Sequence, residues 1–567
     1  MSEKSNYSIT SLKGRGLSRR AALKLLGIGA LAFYLPRLVK NGSGWLSKHS
    51  PIDRTMGLDF RQSTFSGDNP DRTHRLLWDK PGFIKSLGGT LPAPTEEANL
   101  VVIGGGISGL LTAFQLREHK PIVLERADRF GGNSRGESWG GIDYSIGAAY
   151  LMEPTDGSIL HKLLKDLDIA DGFFRVKSTE DPIIYKGERY DDFWSGGTDP
   201  DAKLQFTEIQ KYFKNTLDGN EGLEFPDIPC MDEEMLAAVK KLDGETFRAH
   251  MTRIAGGKLH PHVETALEHY CWSSFGTSFS EVSAAAGLNF YAAEFGNVLV
   301  APGGNSAIAE QVLTKLEESV GESRLRTEHT VFDVTVTENG VNVASMDATG
   351  AVKVIRARAV VMSCPKFVVS RILSGIEEPR VEAIKKLRYH SYLVANVLLN
   401  KPIKDDFYDL FMIGNGAFDP ADLQGSANRQ RVTDVVLGSF AKGAAGRSVL
   451  TLYRGIPYDG GRGLLLSDGA YQQFKGEFEQ QIQDEILKLV GASPSDVQDL
   501  RITRWGHPLP SADAGLIANG VIDAIRKPFQ ERVFFVEQDN WMLPAFETAA
   551  TEALIWAPVI DKYLKKV

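Results

Sequence analysis

A glycine-rich turn between an apolar strand and a helix is the feature that most constrains this fold. Residues 99–103 read Asn-Leu-Val-Val-Ile, and Gly-Gly-Gly-Ile-Ser-Gly follows at 104–109. Helical periodicity continues after the turn, and a second apolar run ends at Glu125, 21 positions after Gly104. A lone GxGxxG is a weak signal. Between a strand and a helix, with a following acid, it is typical of an α/β dinucleotide site.

Each residue of this turn has a physical role. Gly104 permits the tight turn, Gly106 lets the backbone approach a pyrophosphate, and Gly109 lets the helix pack against the strand. Ser108 lies in the first helical turn, whose positive N-terminus attracts phosphate, and is counted as cofactor-binding. Glu125 is expected to accept from a ribose 2′-hydroxyl, which disfavours a 2′-phosphate there.

The length and charge of the chain exclude some folds and some classes of function. A chain of 567 residues is too long for one compact core. Residues 1–40 hold eight Lys or Arg and one acid, which leaves 56 basic and 71 acidic side chains elsewhere, a net charge of −15. An acidic body argues against nucleic acid as a partner. Three dispersed cysteines and the His260-Pro261-His262 cluster predict no metal site.

The N-terminus has the pattern of an export signal. Ser18-Arg19-Arg20 leads through Leu23-Lys24 into an apolar run at 25–35, which is too short for an ordinary spanning helix but suits a signal segment. The paired arginines resemble the bacterial twin-arginine signal. Residues 1–40 are therefore predicted to be a signal or membrane anchor engaging the twin-arginine export machinery. The expected location is the periplasm, with possible anchoring to the inner membrane.

The residues after Glu125 carry a family resemblance. Arg126 opens a short basic stretch, Gly131-Gly132-Asn133 follows, and residues 141–150 read Gly-Ile-Asp-Tyr-Ser-Ile-Gly-Ala-Ala-Tyr. This order resembles the flavin amine oxidase superfamily, which also includes phytoene desaturases and protoporphyrinogen oxidases. The resemblance implies bound FAD, held by residues that include Arg126, Gly131, Gly132, Gly147 and Ala148. Asn133 replaces the family's usual Arg, so Arg135 or Arg129 is expected to stand in.

Two later stretches continue the resemblance. Residues 301–306 read Ala-Pro-Gly-Gly-Asn-Ser before a helix and a β-meander, and the C-terminal region has a strand, an acid and a final helix. By analogy, Val331 contacts the adenine through its backbone, and Glu537 lies near the ribityl chain and pyrophosphate. No Cys lies near the C-terminus, so the FAD is expected to be non-covalent.

The spacing of the three stretches predicts the domain organisation. The expected fold is α/β: a Rossmann-like FAD-binding domain, with a parallel sheet plus a β-meander, assembled from segments 96–155, 300–375 and 513–567. The insertions at 156–299 and 376–512 are expected to form an α+β substrate domain. Residues 41–95, rich in Gly, Pro, Ser and charges, are predicted to be a linker with little regular structure.

Candidate catalytic residues also come from the resemblance. Amine oxidases place a Lys, water-linked to flavin N5, in the strand after the meander, and alignment on Lys401-Pro402 puts Asn396 there. Trp505 follows Arg504 as in the family's Arg-Trp pair, and His507 lies two residues on. An amide in place of the Lys predicts slow reaction with oxygen and favours dehydrogenase chemistry.

The expected function is that of an exported FAD-dependent oxidoreductase. It is predicted to remove a hydride from a substrate C–H, next to an amine nitrogen, and to pass electrons to oxygen or a quinone-type acceptor. Two alternatives stay open: a C–C desaturase or isomerase acting on an apolar substrate, and a flavoprotein without catalysis. A pocket lined with carboxylates favours polyamines, and an apolar tunnel favours the desaturase.

Overall fold

Two large β-sheets organise the protein. The computed structural model describes residues 52–53, 63–176, 181–230, 232–413 and 432–566, and the predicted signal at 1–40 lies outside them. Within these residues, the chain forms a seven-stranded sheet, an eight-stranded sheet and two smaller three-stranded sheets.

The seven-stranded sheet follows the predicted nucleotide-binding design. Its strands, in spatial order, are Leu325–Arg326, Ile122–Leu124, Glu96–Ile103, Val352–Met362, Gly340–Met346 and Thr330–Thr337, with Val533–Phe535 beside Val352–Met362. The first four strands and Val533–Phe535 run parallel, and the last three of the ordered strands form an antiparallel meander. The α/β fold class, with a parallel sheet and a meander, is therefore confirmed. Its strands come from three separate stretches of the chain.

Helices cover both faces of this sheet, as buried parallel strands require. Val101 and Val102 point to opposite faces and both have no exposed surface. One face packs against Ile107–Gln115, Ile159–Asp166, Ser306–Val320 and Phe546–Lys566. The other face packs against Asp71–Trp78, Lys80–Ser86 and Lys366–Ile372.

All strands of the eight-stranded sheet except Ser66–Gly67 lie in the predicted substrate part of the chain. Its strands, in spatial order, are Glu188–Tyr190, Ile183–Tyr185, Phe411–Met412, Asp434–Leu437, Ser448–Ile456, Tyr389–Leu399, Val497–Pro510 and Ser66–Gly67. The helices of this part are Lys203–Asp218, Glu233–Asp243, Phe247–Ile254, Pro261–Ser274, Ala284–Ala293, Glu378–Ile384, Tyr458–Leu465, Ala470–Gln481, Leu487–Leu489 and Val521–Arg526. The small sheets join Ile52–Asp53, Gly136–Trp139 and Ile142–Ser145, and Leu151–Met152, Val298–Val300 and Phe174–Arg175.

The prediction of an irregular linker at 41–95 is wrong for its described portion. Ser66–Gly67 adds a parallel strand to Val497–Pro510, and the helices Asp71–Trp78 and Lys80–Ser86 follow. Leu77 is buried, and the Phe83 ring meets Phe332 of the meander edge-on at 5.1 Å. The scattered Gly, Pro and charged residues did not indicate the short amphipathic helix Asp71–Trp78, whose apolar side packs against the meander.

One segment packs differently from its predicted domain. Val521–Arg526 was expected in the FAD-binding part, which begins again at residue 513. Instead, it packs in the helical core with Glu378–Ile384, where Val521, Ile522 and Ile525 are buried. The apolar spacing of this helix did not reveal which of two cores would cover it. The other domain boundaries stay a prediction.

A search of the described helices for an apolar stretch long enough to cross a bilayer found none.

The glycines of the turn predict contrasting stabilities. A Cβ at Gly109 would lie 2.0 Å from the Gly104 carbonyl oxygen, whereas a Cβ at Gly106, where φ is −78°, would have nothing nearer than the Gly132 Cα at 3.7 Å. We expect Gly109→Ala to lower the free energy of unfolding by about 3 kcal/mol, because the helix must move away from the strand. Gly106→Ala, the matched control, should change it by less than about 0.5 kcal/mol. Denaturant unfolding measures this free energy for both variants. Equal losses of unfolding free energy in the two variants would contradict this packing.

Candidate active site

A large cavity joins the two parts of the molecule. It has a volume of about 1010 Å³ and is lined from the glycine turn at one end to the eight-stranded sheet at the other. Of the predicted site residues, those lining it are Gly104, Gly106, Ser108, Glu125, Arg126, Gly131, Gly132, Gly147, Ala148, Val331, Trp505, His507 and Glu537. These predicted residues therefore line one continuous cavity, and ligand sites between domains are common.

The glycine turn has the geometry that a pyrophosphate needs. Gly104 has φ +109°, and Gly109, which does not line the cavity, lets the helix approach. Gly106 differs, because no protein atom lies within 3.7 Å of where its Cβ would be. Packing therefore does not require glycine at 106, and the room it leaves faces the cavity at a helix N-terminus. This arrangement fits the dinucleotide portion of FAD.

Glu125 lies at the end of its strand, as predicted. Its carboxylate accepts backbone hydrogen bonds from Gly105 N at 2.7 Å and Ala127 N at 2.8 Å. The side chain is buried, so these bonds fix the orientation of both oxygens. Each carboxylate oxygen has a further lone pair with which to accept from a ribose hydroxyl.

The loop around Gly131 and Gly132 shows which of Arg129 and Arg135 could take the place of the arginine that Asn133 replaces. Gly131 N donates to the Gly105 carbonyl at 2.8 Å, which brings this loop onto the turn. Arg135 is buried, lines the cavity and donates through Nε to the Gly132 carbonyl at 2.9 Å. Arg129 instead donates to Gly136 O at 2.9 Å and does not line the cavity. Of the two predicted substitutes, Arg135 is the one positioned to face a phosphate.

An N-terminal strap closes one side of the cavity. We use this name for residues 63–78, of which Asp68, Asn69, Pro70, Thr73, His74, Leu77 and Trp78 line it. Asp68 forms an ion pair with Arg126 at 2.5 Å and accepts from Gly506 N at 2.9 Å. The Arg126 guanidinium holds the pKa of Asp68 below its usual range, despite burial. No sequence motif marks this wall, so it was not predicted.

Val331 and Glu537 reach the cavity from two different strands of the seven-stranded sheet. Val331 lies in the meander strand Thr330–Thr337, and Glu537 follows strand Val533–Phe535. The Glu537 carboxylate contacts Lys366 Nζ and accepts from Asp539 N at 2.7 Å. Burial raises the pKa of Glu537, while the Lys366 ammonium opposes the shift. The buried Lys366 thus holds the Glu537 carboxylate in place, without itself lining the cavity.

Trp505 and His507 lie on one strand beside the Gly147 turn. Trp505 Nε1 donates to the Ile146 carbonyl at 2.7 Å, and a Cβ at Gly147 would lie 3.6 Å from the Trp505 ring. His507 packs on Phe367 with ring centroids 4.5 Å apart. Burial lowers the pKa of His507 to about 3, so its ring is neutral at pH 7. Both predicted side chains therefore belong to the cavity wall.

The prediction for Asn396 is wrong in position. Asn396 has no exposed surface and does not line the cavity, and its Oδ1 accepts from Thr451 Oγ1 at 2.8 Å. Val394 lies two residues earlier, on the same face of strand Tyr389–Leu399, and does line the cavity. Asn396 therefore lies on the face of the strand that reaches the cavity, but two residues beyond it, which does not fit the predicted place beside flavin N5.

Three carboxylates at the far end of the cavity were not foreseen. Glu294 caps the helix Ala284–Ala293, Asp409 precedes Phe411–Met412, and Asp434 begins strand Asp434–Leu437. All three line the cavity, among Tyr150, Tyr392 and Tyr453. Burial raises the pKa of Glu294 and of Asp434 to about 7, and burial with neighbouring carboxylates raises that of Asp409. The only available signal was an acid at the start of an apolar strand, Asp434-Val-Val-Leu.

Comparison with known proteins identifies the family to which this chain is similar. The pattern described as "Flavin containing amine oxidoreductase" matches residues 107–535. "Oxidoreductase PigB" of Serratia sp. is 22% identical over 561 residues, which cover 86% of this chain and 80% of that protein.

Two solved structures share the fold. Cyclohexylamine oxidase from Brevibacterium oxydans has a TM-score of 0.59 at 18% identity, over 82% of this chain and 99% of that one. Wild-type putrescine oxidase bound to putrescine has a TM-score of 0.59 at 16% identity, over 83% and 100%. Because the sequence pattern spans most of the chain, from the glycine turn to the strand before Glu537, this protein belongs to the flavin-containing amine oxidoreductase family.

Proposed function

We propose that this FAD-dependent oxidoreductase removes a hydride from a C–H bond next to an amine nitrogen. The observation that carries the amine is the carboxylate-lined end of the cavity. Glu294, Asp409 and Asp434 face it, and no lysine lines the cavity among the described residues. Taking a carboxylate out of water is costly unless it is paired or protonated, so such a wall favours a cationic ligand.

The chemistry balances with water and an electron acceptor. The hydride leaves the carbon, and the C–N bond becomes an iminium. Water then releases a carbonyl compound, together with ammonia from a primary amine or a smaller amine from a substituted one. When bound, FAD supplies the hydride acceptor. The two electrons pass on to oxygen, which becomes hydrogen peroxide, or to a quinone, which becomes a quinol.

The role of the chain is to position the substrate and to exclude water. Trp505 is 3% exposed and is fixed by its bond to Ile146 O. Tyr453 Oη donates to the Gly147 carbonyl at 2.7 Å, which ties the cavity wall to the turn. These fixed aromatic side chains would hold a neutral amine with its C–H in one orientation. The neutral His507 adds no charge that would repel a cationic substrate.

The alternative of an apolar substrate is less well supported. A hydrocarbon would leave one oxygen of each carboxylate, Asp409 Oδ1 and Asp434 Oδ1, without a hydrogen-bond partner, since neither oxygen has one within the described residues. A flavoprotein without catalysis would need only the cofactor end of the cavity, and not the further end that Glu294, Asp409 and Asp434 line.

Anaerobic reduction tests the proposed function. We expect primary amines to bleach the flavin absorption of the purified protein in the absence of oxygen, because hydride transfer reduces the cofactor. A carotenoid-type hydrocarbon, solubilised in detergent, is the control and should leave the spectrum unchanged. Bleaching by the hydrocarbon but by no amine would favour the desaturase.

The electron acceptor is proposed to be a quinone-type compound rather than oxygen. Val394 is a residue of strand Tyr389–Leu399 that lines the cavity. A cation near the reduced flavin would stabilise the negative charge that forms as oxygen accepts an electron. We expect Val394→Lys to speed oxygen re-oxidation of the reduced enzyme at least tenfold, with Val394→Met, the size control, unchanged. Stopped-flow mixing measures this. Wild-type re-oxidation by oxygen as fast as turnover would argue for an oxidase.

Export is proposed from the N-terminus alone, because residues 1–40 lie outside the described part of the structure. The Arg19-Arg20 pair supports the twin-arginine route to the periplasm, and the apolar run at 25–35 supports anchoring. Replacing both arginines with Lys keeps the charge but removes the guanidinium pair. We expect flavin-loaded protein to remain in the cytoplasm on cell fractionation. Replacing Lys4 and Lys13 with Arg is the control, and equal export of both variants would refute the route.

A further inference from the structure

The strap at residues 63–78 is held at its two ends by different kinds of contact. At the end nearer the C-terminus, the helix Asp71–Trp78 buries Leu76 and Leu77. Leu77 packs in the same apolar core as Val331 of the meander. Opening this end would expose buried apolar surface to water, which is costly.

The other end of the strap is held mainly by polar contacts. Ser66–Gly67 adds two parallel residues to strand Val497–Pro510, and Asp68 N donates to the Arg504 carbonyl at 2.8 Å. Phe65 is the one apolar side chain at 63–68, and it is only partly buried. Segments with few buried apolar contacts open at a lower free energy than the core does. The end at residues 66–68 is therefore the weaker attachment.

The strap covers the part of the cavity that suits the adenosine and phosphates of FAD. Asp68 and Leu77 line the cavity together with Glu125 and Val331, the residues expected to face the ribose and the adenine. Trp78 also lines the cavity and is 69% exposed, so solvent reaches this wall. A bound FAD would thus be enclosed by the glycine turn, the meander and the strap.

The weaker end joins separate pieces of the site through one carboxylate. Asp68 pairs with Arg126, and it accepts from the backbone of Gly506, which lies between Trp505 and His507. If the strap leaves its strand, the cavity loses a wall and Arg126 loses the carboxylate that orients it. A ligand that is enclosed only in the closed form stabilises that form, so bound FAD and the closed strap support each other.

We propose that the strap is the gate of the cofactor site: its end at residues 66–68 must leave strand Val497–Pro510 before FAD enters or leaves the cavity. The gate sets how long a non-covalent FAD stays bound, whichever substrate the enzyme oxidises. Asp68 is a positioning residue of this gate, because it holds the wall and Arg126 in place.

Gly67 offers a substitution that lifts the strap without changing a charge or a residue that lines the cavity. It has φ +88°, and a Cβ there would lie 2.4 Å from the Arg504 carbonyl oxygen. Gly88 has a similar φ of +99° but nothing within 4 Å of where its Cβ would be, so Gly88→Ala is the matched control. We expect Gly67→Ala to raise the rate constant of FAD dissociation about 10- to 100-fold, and Gly88→Ala to raise it less than about twofold. Dilution of the purified holoenzyme, followed by the fluorescence of released FAD, measures these rates.

A reversible cross-link tests the opposite change. Ser66 Oγ and Thr503 Oγ1 lie 2.8 Å apart on paired strands, so Ser66→Cys combined with Thr503→Cys brings two sulfur atoms within reach of a disulfide. Oxidised glutathione forms the bond and takes up the two electrons that the thiols lose. We expect the cross-linked holoenzyme to release FAD more slowly by about tenfold or more, and dithiothreitol to restore the faster release. Each single Cys variant, treated in the same way, is the control and should release FAD at the wild-type rate.

Two results would overturn the gate. Equal release of FAD by Gly67→Ala and Gly88→Ala would show that lifting the strap does not free the cofactor. A cross-link that leaves the release rate unchanged would show that FAD leaves by another opening. Intact mass verifies the disulfide and far-ultraviolet circular dichroism verifies the fold, and the cross-linked variant decides alone if Gly67→Ala does not fold. Because these rates are measured without substrate, they do not depend on the proposed amine oxidation.

Discussion

The fold depends on how closely one helix approaches one strand. At the turn, a Cβ on Gly104 would lie 2.2 Å from the Ser363 carbonyl oxygen, and one on Gly109 would lie 2.0 Å from the Gly104 carbonyl. These contacts fix the helix Ile107–Gln115 above strands from two distant parts of the chain. The helix N-terminus then points into the gap between the sheets. The cavity exists because this approach holds one wall while the eight-stranded sheet forms the other.

The cavity divides its chemistry between its two ends. Near the turn, backbone groups, Glu125 and Arg135 suit the phosphates and ribose of a dinucleotide. At the other end, aromatic side chains give way to carboxylates on a single sheet face. A residue at one end need not serve the chemistry at the other, which lets the family change substrate while keeping its cofactor site.

The residues at the turn end of the cavity could be predicted from the sequence much better than those at the carboxylate end. The glycine turn, Glu125 and the Gly131-Gly132 pair are local motifs, whose roles follow from backbone conformation. Trp505 was found by resemblance, but Asn396 was two residues from the cavity because alignment cannot measure depth along a strand. Asp409 and Asp434 come together only through strand pairing, which no local pattern encodes. The strap was missed for the same reason, since Asp68 meets Arg126 and Gly506 only in three dimensions.

The strap also sets an order of assembly. Ser66–Gly67 pairs with residues 503–504, and Asp68 bonds Gly506, more than 430 positions along the chain. Residues 66–68 thus have no strand partner until residues 503–506 have been synthesised. Contacts of such long sequence separation form slowly, because the loop between them must first be ordered. The cofactor pocket therefore gains this wall only after residues 503–506 have been synthesised, so a nascent chain that stops before them leaves one side of the pocket open.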